Sequence, residues 1–159
     1  MDTTELHQAH NEFLDAAAQV ADAGGSHLAA PDGEWNFEQI LAHVALVDAA
    51  SLAVVASVAA GANTVFDNRV LNDDWTIEQT IARSDGTALT DRVRTLGDAL
   101  CAVAGDVLND AELDTAVPTL LVSNDQLLVN EPTTVRALVE GLAGNELPGH
   151  TAQLLALLP

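Results

Sequence analysis

The segment 36–61, NFEQILAHVALVDAASLAVVASVAAG, decides the predicted fold class. Asn36 followed by Gln39 has the form of a capping box that begins a helix, and Gly61 favours its end. Apolar side chains recur at helical spacing between them. The inner row consists of Ile40, His43 or Val44, Val47, Ser51, Val54 and Val58. A helix this apolar needs partners on most sides, so the segment predicts a buried helix of a helical bundle.

Part of this segment, residues 40–62, is also long enough to span a bilayer. It contains His43, Asp48, Ser51 and Ser57, however, and a central Asp costs about 2.5–3.5 kcal/mol on membrane insertion. Acidic residues flank the segment, without Lys or Arg anchors. We therefore interpret it as a protein core helix.

The charge of the chain bounds its partners. Its 159 residues include 5 Lys and Arg against 24 Asp and Glu, which gives a formal net charge of -19. Such a surface repels phosphate backbones and anionic headgroups, so neither nucleic acid nor a membrane is expected as a partner. The length predicts a single domain, residues 1–159.

The compartment is expected to be the cytoplasm. Cys101 is the only cysteine, so an intrachain disulfide cannot form. The stretch from Met1 to Glu5 has neither the basic nor the apolar region of a signal peptide.

Four further helices follow from periodicity and turn residues. The expected ranges are a first helix that starts after residue 2 or 3 and runs to about 23, a short helix at 75–83, a long one at about 87–108, and a last one from about 132 to the C-terminus. The row Leu89, Val93, Leu96, Leu100, Val103 and Val107 is typical of a bundle seam. Gly24 and Gly25 end the first helix, and Pro148 with Gly149 is expected to disturb the last.

Connection lengths predict the topology. Some twenty-five residues follow Gly61 before the next long helix, and a helix of about 24 residues is roughly 35 Å long. This connection can cover that length, so the second and third long helices are expected to run parallel. Residues 116–130 have the pattern of a hairpin. The predicted fold is all-α: an up-down-down-up four-helix bundle with a long crossover between helices 2 and 3 and a small β-hairpin before the last helix.

Two ionisable residues interrupt the apolar row of the last helix. Glu146 and His150 are four residues apart, so they share a helix face at the spacing of helical metal-ligand pairs. A buried carboxylate needs a partner, and His43 is expected at a similar height in the bundle. Two His and one carboxylate leave coordination positions open, as in catalytic or ligand-binding metal sites.

Simpler interpretations of these residues stay open. A His on an apolar helix face is commonly a core or capping residue, and Glu146 with His150 can form a plain salt bridge. His10 faces the core of the first helix, as a packing residue or an alternative third ligand. Cys101 is expected to be a small buried thiol. Trp35 and Trp75 are expected to plug the ends of the bundle.

Two short motifs resemble those of a known family. They are Gly33-Glu34-Trp35 before a capped helix carrying Leu41-Ala42-His43-Val44-Ala45, and Glu146-Leu147-Pro148-Gly149-His150-Thr151-Ala152-Gln153-Leu154. Together they resemble the DinB-like superfamily, which includes thiol-dependent transferases and mycothiol-dependent maleylpyruvate isomerases. The resemblance implies an up-down-down-up bundle and, in many members, a divalent metal held by three His. His43 and His150 match two of these, whereas Glu146 replaces the third.

Two functions from different classes follow. The first is a metal-dependent thiol transferase or isomerase acting on a small electrophilic substrate, with His43, Glu146 and His150 holding zinc, nickel or iron. The resemblance implies a low-molecular-weight thiol such as mycothiol, and Arg69 is a candidate for steering an anionic substrate. The alternative is a metal-free helical bundle that has lost the site and serves as a ligand-binding or interaction module, or as a dimerisation domain. Either a monomer or a homodimer is compatible with the sequence.

Overall fold

The computed structural model describes residues 1–27, 30, 33–84, 86–123 and 126–159, and most of them are helical. The helices are α1 (Thr4–Asp22), α2 (Phe37–Ala59), α3 (Asp74–Ala82), α4 (Gly86–Ala102), α5 (Asp110–Leu113), α6 (Val135–Gly141) and α7 (Leu147–Leu155). The strands β1 (Phe66–Asp67), β2 (Ala116–Ser123) and β3 (Gln126–Thr134) form a small sheet in the order β1-β2-β3. The fold is therefore mostly helical, with a three-stranded sheet at one side of the chain's helices.

Local signals begin and end the first two helices as predicted. The Asn36 side chain accepts a hydrogen bond from the backbone N–H of Gln39, whose own side chain accepts from Asn36 N–H, so the capping box is confirmed. Gly24 follows α1 with φ of 77°, a conformation that costs glycine little. Part of the turn predicted before α2, at residues 31 and 32, lies outside the described residues.

Contacts at one end of the molecule fix the direction of the long helices. A Cβ added at Gly86, where α4 begins, would lie 3.8 Å from the Phe37 ring, where α2 begins. One added at Gly25, just after α1, would lie 2.7 Å from the carbonyl oxygen of Leu157, just after α7. Hence α2 and α4 start at the end where α1 and α7 finish.

The predicted hairpin is confirmed and is joined by a strand that the sequence did not predict. Phe66 pairs in parallel register with Thr119 of β2. Asn68 then clamps the crossover to the hairpin, because its amide donates to Val122 O at 3.0 Å and accepts from Val122 N–H at 2.8 Å. A strand of two residues has no periodicity to detect, which explains why β1 was not predicted. The hairpin turn at residues 124 and 125 lies outside the described part of the chain.

Two π-helical segments correct the predictions for the third and last long helices. Val103–Val107 extends α4, and its extra residue per turn rotates Val107 outward to 60% exposure, so its assignment to the seam was wrong. Leu142–Glu146 lies between α6 and α7, and it is the disturbance that was expected at Pro148. Pro148 instead lies in the first turn of α7, where its missing N–H is harmless.

The core forms around α2, whose side chains are buried mainly against α3, α4, α6 and α7. Its length and apolar composition also meet those of a membrane span, but 61% of the relevant window is buried inside the protein. This agrees with the interpretation of α2 as a core helix.

A polar pair crosses this core. His10 of α1 is 4% exposed and Asp48 of α2 is fully buried, with His10 Nε2 at 3.0 Å from Asp48 Oδ1. His10 Nδ1–H donates to Leu6 O at 3.0 Å. Packing against Gly97 of α4 makes room for the imidazole. His10 is thus a core residue, as the simpler interpretation held.

Replacing Gly97 by alanine is expected to destabilise the protein by about 1–3 kcal/mol. The added Cβ would lie 2.6 Å from His10 Cδ2 and 2.8 Å from Nε2, so the imidazole would have to move away from Asp48. Urea denaturation measures this. Gly141→Ala is the matched control, because nothing lies within 4 Å of its added Cβ, and helix propensity predicts a gain of about 0.5–1 kcal/mol. An equal response of both variants would contradict the role assigned to Gly97.

Candidate metal centre

The three residues named as ligands lie together. The ligand atoms of His43, Glu146 and His150 are all within 4.8 Å of one another. His43 Nε2 is 3.2 Å from Glu146 Oε1, and His150 Nε2 is 3.3 Å from the same oxygen. The two imidazole centroids are 4.7 Å apart. Two ring nitrogens therefore converge on one carboxylate oxygen.

Each ligand residue is positioned by a different local feature. His43 lies in the second turn of α2, whose start is fixed by the capping box, and it is 2% exposed. Glu146 is the last residue of the π-helical segment, and His150 follows in α7. The π segment thus contributes one of the three side chains, and such segments are frequent at functional sites.

A second layer of hydrogen bonds fixes the tautomers of both histidines. His43 Nδ1 lies 3.0 Å from the carbonyl oxygen of Leu71, and His150 Nδ1 lies 2.8 Å from the side-chain oxygen of Gln153. Since those oxygens can only accept, both Nδ1 atoms carry a proton. Both Nε2 atoms then face the Glu146 carboxylate, to which a protonated Nε2 donates and beside which a deprotonated Nε2 can bind a metal ion.

The electrostatics of the site favour an ionised carboxylate. Hydrogen bonds from His150 and His43 hold the pKa of Glu146 well below its usual range, although burial acts in the opposite direction. The carboxylate side chain is 38% exposed, whereas His43 and His150 side chains are 2% and 12% exposed. The site is therefore open to solvent from the side of Glu146.

Trp35 covers the two imidazoles. Its ring centroid is 4.6 Å from that of His43 and 6.0 Å from that of His150, nearly parallel to the latter at 15°. Trp35 is half-buried and packs against the core just before α2, where it borders the site. Trp75 does not plug a bundle end, contrary to the prediction, because it is 65% exposed.

The donor set fits a divalent metal ion. Two imidazole nitrogens, once they lose their protons, and a carboxylate oxygen are all acceptors, so a cation can take the place of the protons that join them in the metal-free protein. A metal held by two His and one carboxylate, with each His donating its other N–H to an oxygen, is a common arrangement. The three side chains leave coordination positions free on the exposed side.

Other candidates from the sequence lie apart from this site. His10 is bonded to Asp48 and Leu6, so it is not the third ligand. Cys101 is a buried residue of α4, as expected of a small packing thiol. Arg69 donates to both carboxylate oxygens of Asp67, with the shortest contact at 2.6 Å. Its guanidinium is thus already paired within the crossover.

Three groups that support the site were not identified as such from sequence. The Leu71 carbonyl carries no side-chain signal at all. Gln153 does carry one, since it is three residues after His150 on the same helix face. Trp35 belongs to the motif before α2, but its contact with both histidines depends on the tertiary fold.

Replacing Gln153 by alanine is expected to weaken divalent metal binding by about 10–100-fold, because His150 would lose the acceptor that holds its tautomer. Gln153→Glu, which keeps an acceptor oxygen, is expected to restore most of the affinity. Isothermal titration of the metal-free protein with Zn²⁺ measures both. Unchanged affinity in Gln153→Ala would show that the hydrogen bond does not support the ligand.

Comparisons with known proteins assign no family to this chain. No protein-family model, no curated protein and no solved structure matches it. The DinB-like resemblance accordingly stays a prediction from short motifs, and the chemistry of the site must be argued from its own geometry.

Proposed function

We propose that the protein binds a divalent metal ion at His43, Glu146 and His150 and uses it in thiol transfer or isomerisation. One observation carries the proposal: both histidines donate through Nδ1 to carbonyl oxygens, so both Nε2 atoms face the same carboxylate oxygen, where they can share one metal ion with it. The 3.2 Å separation of His43 Nε2 from Glu146 Oε1 also supports it, whereas a gap above about 8 Å would favour a metal-free module.

We further infer that the helices form an up-down-down-up four-helix bundle of the DinB-like type. Support comes from the shared end of α2 and α4 and from the shared end of α1 and α7, at Gly86 with Phe37 and at Gly25 with Leu157. In such a bundle the early part of α2, with His43, faces the end of the last helical segment, where Glu146 ends the π segment and His150 lies in α7.

The roles of the chain's residues follow from the geometry. His43 and His150 would be neutral ligands, and Glu146 the anionic one. A divalent cation supplies positive charge that lowers the pKa of a thiol or water at an open position, giving a nucleophile near neutral pH. Trp35 shields one side of the imidazoles from water, so reactants enter past the exposed carboxylate. Zinc, nickel and iron all suit this donor set.

The partners proposed are a small electrophilic substrate and a low-molecular-weight thiol. Mycothiol is the thiol to test first, because the resemblance to mycothiol-dependent enzymes includes both ligand-bearing motifs. A cytoplasmic location and the absence of nucleic-acid or membrane partners remain predictions from charge and cysteine content.

Metal-dependent thiol conjugation tests this function. Metal-free protein is loaded with Zn²⁺, Ni²⁺ or Fe²⁺, and the reaction of a thiol with 1-chloro-2,4-dinitrobenzene is followed by absorbance. The loaded protein is expected to accelerate the reaction, and His43→Ala is expected to abolish the acceleration. The proposal fails if no metal is taken up stoichiometrically. Metal uptake without acceleration of the thiol reaction would support a metal-binding protein and contradict the transferase function.

A further inference from the structure

The two chain segments that border the candidate metal centre carry exposed carboxylates. Trp35 and the Leu71 carbonyl contact the histidines directly, so the segments containing them border the site. Glu34 is exposed next to Trp35, and Asp73 and Asp74 are exposed shortly after Leu71. Carboxylates therefore lie on both bordering segments, in addition to Glu146 itself.

Three of the chain's five arginines are already paired with other carboxylates. There is no lysine among the five basic residues, all of which are arginine. Arg69, the arginine closest in sequence to Leu71, is paired with Asp67. Arg94 is paired with Asp91, and Arg136 with two carboxylates on the α5 side. Steering of an anionic substrate by Arg69 is consequently not supported.

From these charges we infer that the site selects thiols and substrates by charge, taking cationic ones best, neutral ones next and anionic ones least. This inference rests on the proposed metal site. A cationic group that approaches past Glu146 enters the negative potential of the rim, while an anionic group must overcome it. Trp35, half-exposed beside the site, offers an aromatic face to the same cationic group.

Three thiols of similar size test the order of preference: cysteamine (cationic), 2-mercaptoethanol (neutral) and mercaptoacetate (anionic). The protein is loaded with Co²⁺, and sulfur-to-cobalt charge-transfer absorption reports thiol binding without turnover. At about 0.01 M salt we expect cysteamine to bind about tenfold more tightly than mercaptoacetate. Because the thiols differ in acidity, each affinity is also measured at about 1 M salt, where the Debye length is about 3 Å. Relative to the affinity for 2-mercaptoethanol, high salt should lower the affinity for cysteamine and raise the affinity for mercaptoacetate.

Charge variants locate the source of the selectivity. Glu34→Gln with Asp74→Asn is expected to reduce the preference at low salt to about threefold, since it removes two rim charges. Asp73 is kept, because its carboxylate caps α3 through Thr76 N–H. Asp106→Asn is the control, because Asp106 is an exposed carboxylate remote from the start of α2. It follows Gly105, whose added Cβ would lie 3.2 Å from Thr3 at the start of α1, whereas α2 starts near the end of α1. It should leave the preference unchanged.

The outcomes separate the two proposals. Failure to bind Co²⁺, or absence of binding by all three thiols, would overturn the proposed function and this inference with it. Co²⁺ and thiol binding with no charge preference, or with mercaptoacetate binding best, would overturn only the charge selectivity. The same holds if Asp106→Asn changes the preference as much as the rim variant does.

Discussion

Replacing Asp48 by alanine is expected to lower the free energy of unfolding by about 3–5 kcal/mol, because it leaves His10 without its partner in the core. Asp48 is 0% exposed and His10 is 4% exposed, so water cannot replace the lost contact. Urea denaturation followed by circular dichroism measures the change. A loss below about 1 kcal/mol would show that the pair is not held together as the structure has it.

A double variant tests whether the polar interaction between His10 and Asp48 can be replaced by apolar packing at the same two positions. His10→Leu with Asp48→Val replaces the polar pair by apolar side chains, a change that is often neutral or stabilising in protein cores. It should therefore cost less than the sum of the two single changes. Strict additivity would mean that His10 and Asp48 contribute independently.

The pair also predicts how stability depends on pH. Burial lowers the pKa of His10, but the hydrogen bonds to Asp48, Cys101 and Leu6 and the charge of Asp48 together outweigh it and raise that pKa from 6.5 to about 10. A raised pKa means that the folded protein holds a proton that the unfolded chain releases. This stabilisation is fully present below pH 6.5 and is lost as pH rises through about 10. In Asp48→Ala the loss over that range should be much smaller.

Replacing Glu146 by glutamine is expected to weaken Zn²⁺ binding by more than about 100-fold. The amide keeps the shape of the side chain but removes the negative charge, and the two imidazoles alone make a poor site. Calorimetric titration of the metal-free protein gives the affinity. The emission of Trp35, whose ring lies 4.6 Å from His43, gives an independent readout in a Trp75→Phe background, since the chain has only two tryptophans.

Glu140→Gln is the matched control for this change. Glu140 is an exposed glutamate of α6, the helix that precedes the π segment, and it should leave Zn²⁺ affinity within about twofold of wild type. Equal losses of Zn²⁺ affinity in the two variants would indicate an effect of overall charge. Unchanged Zn²⁺ affinity in both would show that Glu146 is not a ligand.

The helices were predictable because their signals are local. The Asn36 and Gln39 capping box, the Gly24 stop and the apolar rows each depend on residues a few positions apart. The length of the crossover, which can return along the whole of α2, predicted that α2 and α4 run in the same direction. In contrast, β1 depends on pairing Phe66 with Thr119, more than fifty positions away, and leaves no pattern of its own.

The candidate site was predictable to the level of its three ligands but not of its supports. Polar residues on an apolar stripe identified Glu146 and His150, and helix height identified His43. The Leu71 carbonyl acts through the backbone, which no residue type reveals. Asp48 was noticed as a charge inside an apolar helix, but its partner His10 could be identified only from the packing of α1 against α2.

Anomalous diffraction from crystals grown with Zn²⁺ tests the central claim most directly. A single strong peak is expected about 2.0–2.2 Å from Nε2 of His43, Nε2 of His150 and a carboxylate oxygen of Glu146. Both Nδ1 atoms should keep their hydrogen bonds to Leu71 and Gln153. Zinc located elsewhere on the acidic surface, with the three side chains hydrogen-bonded only to one another, would contradict the account.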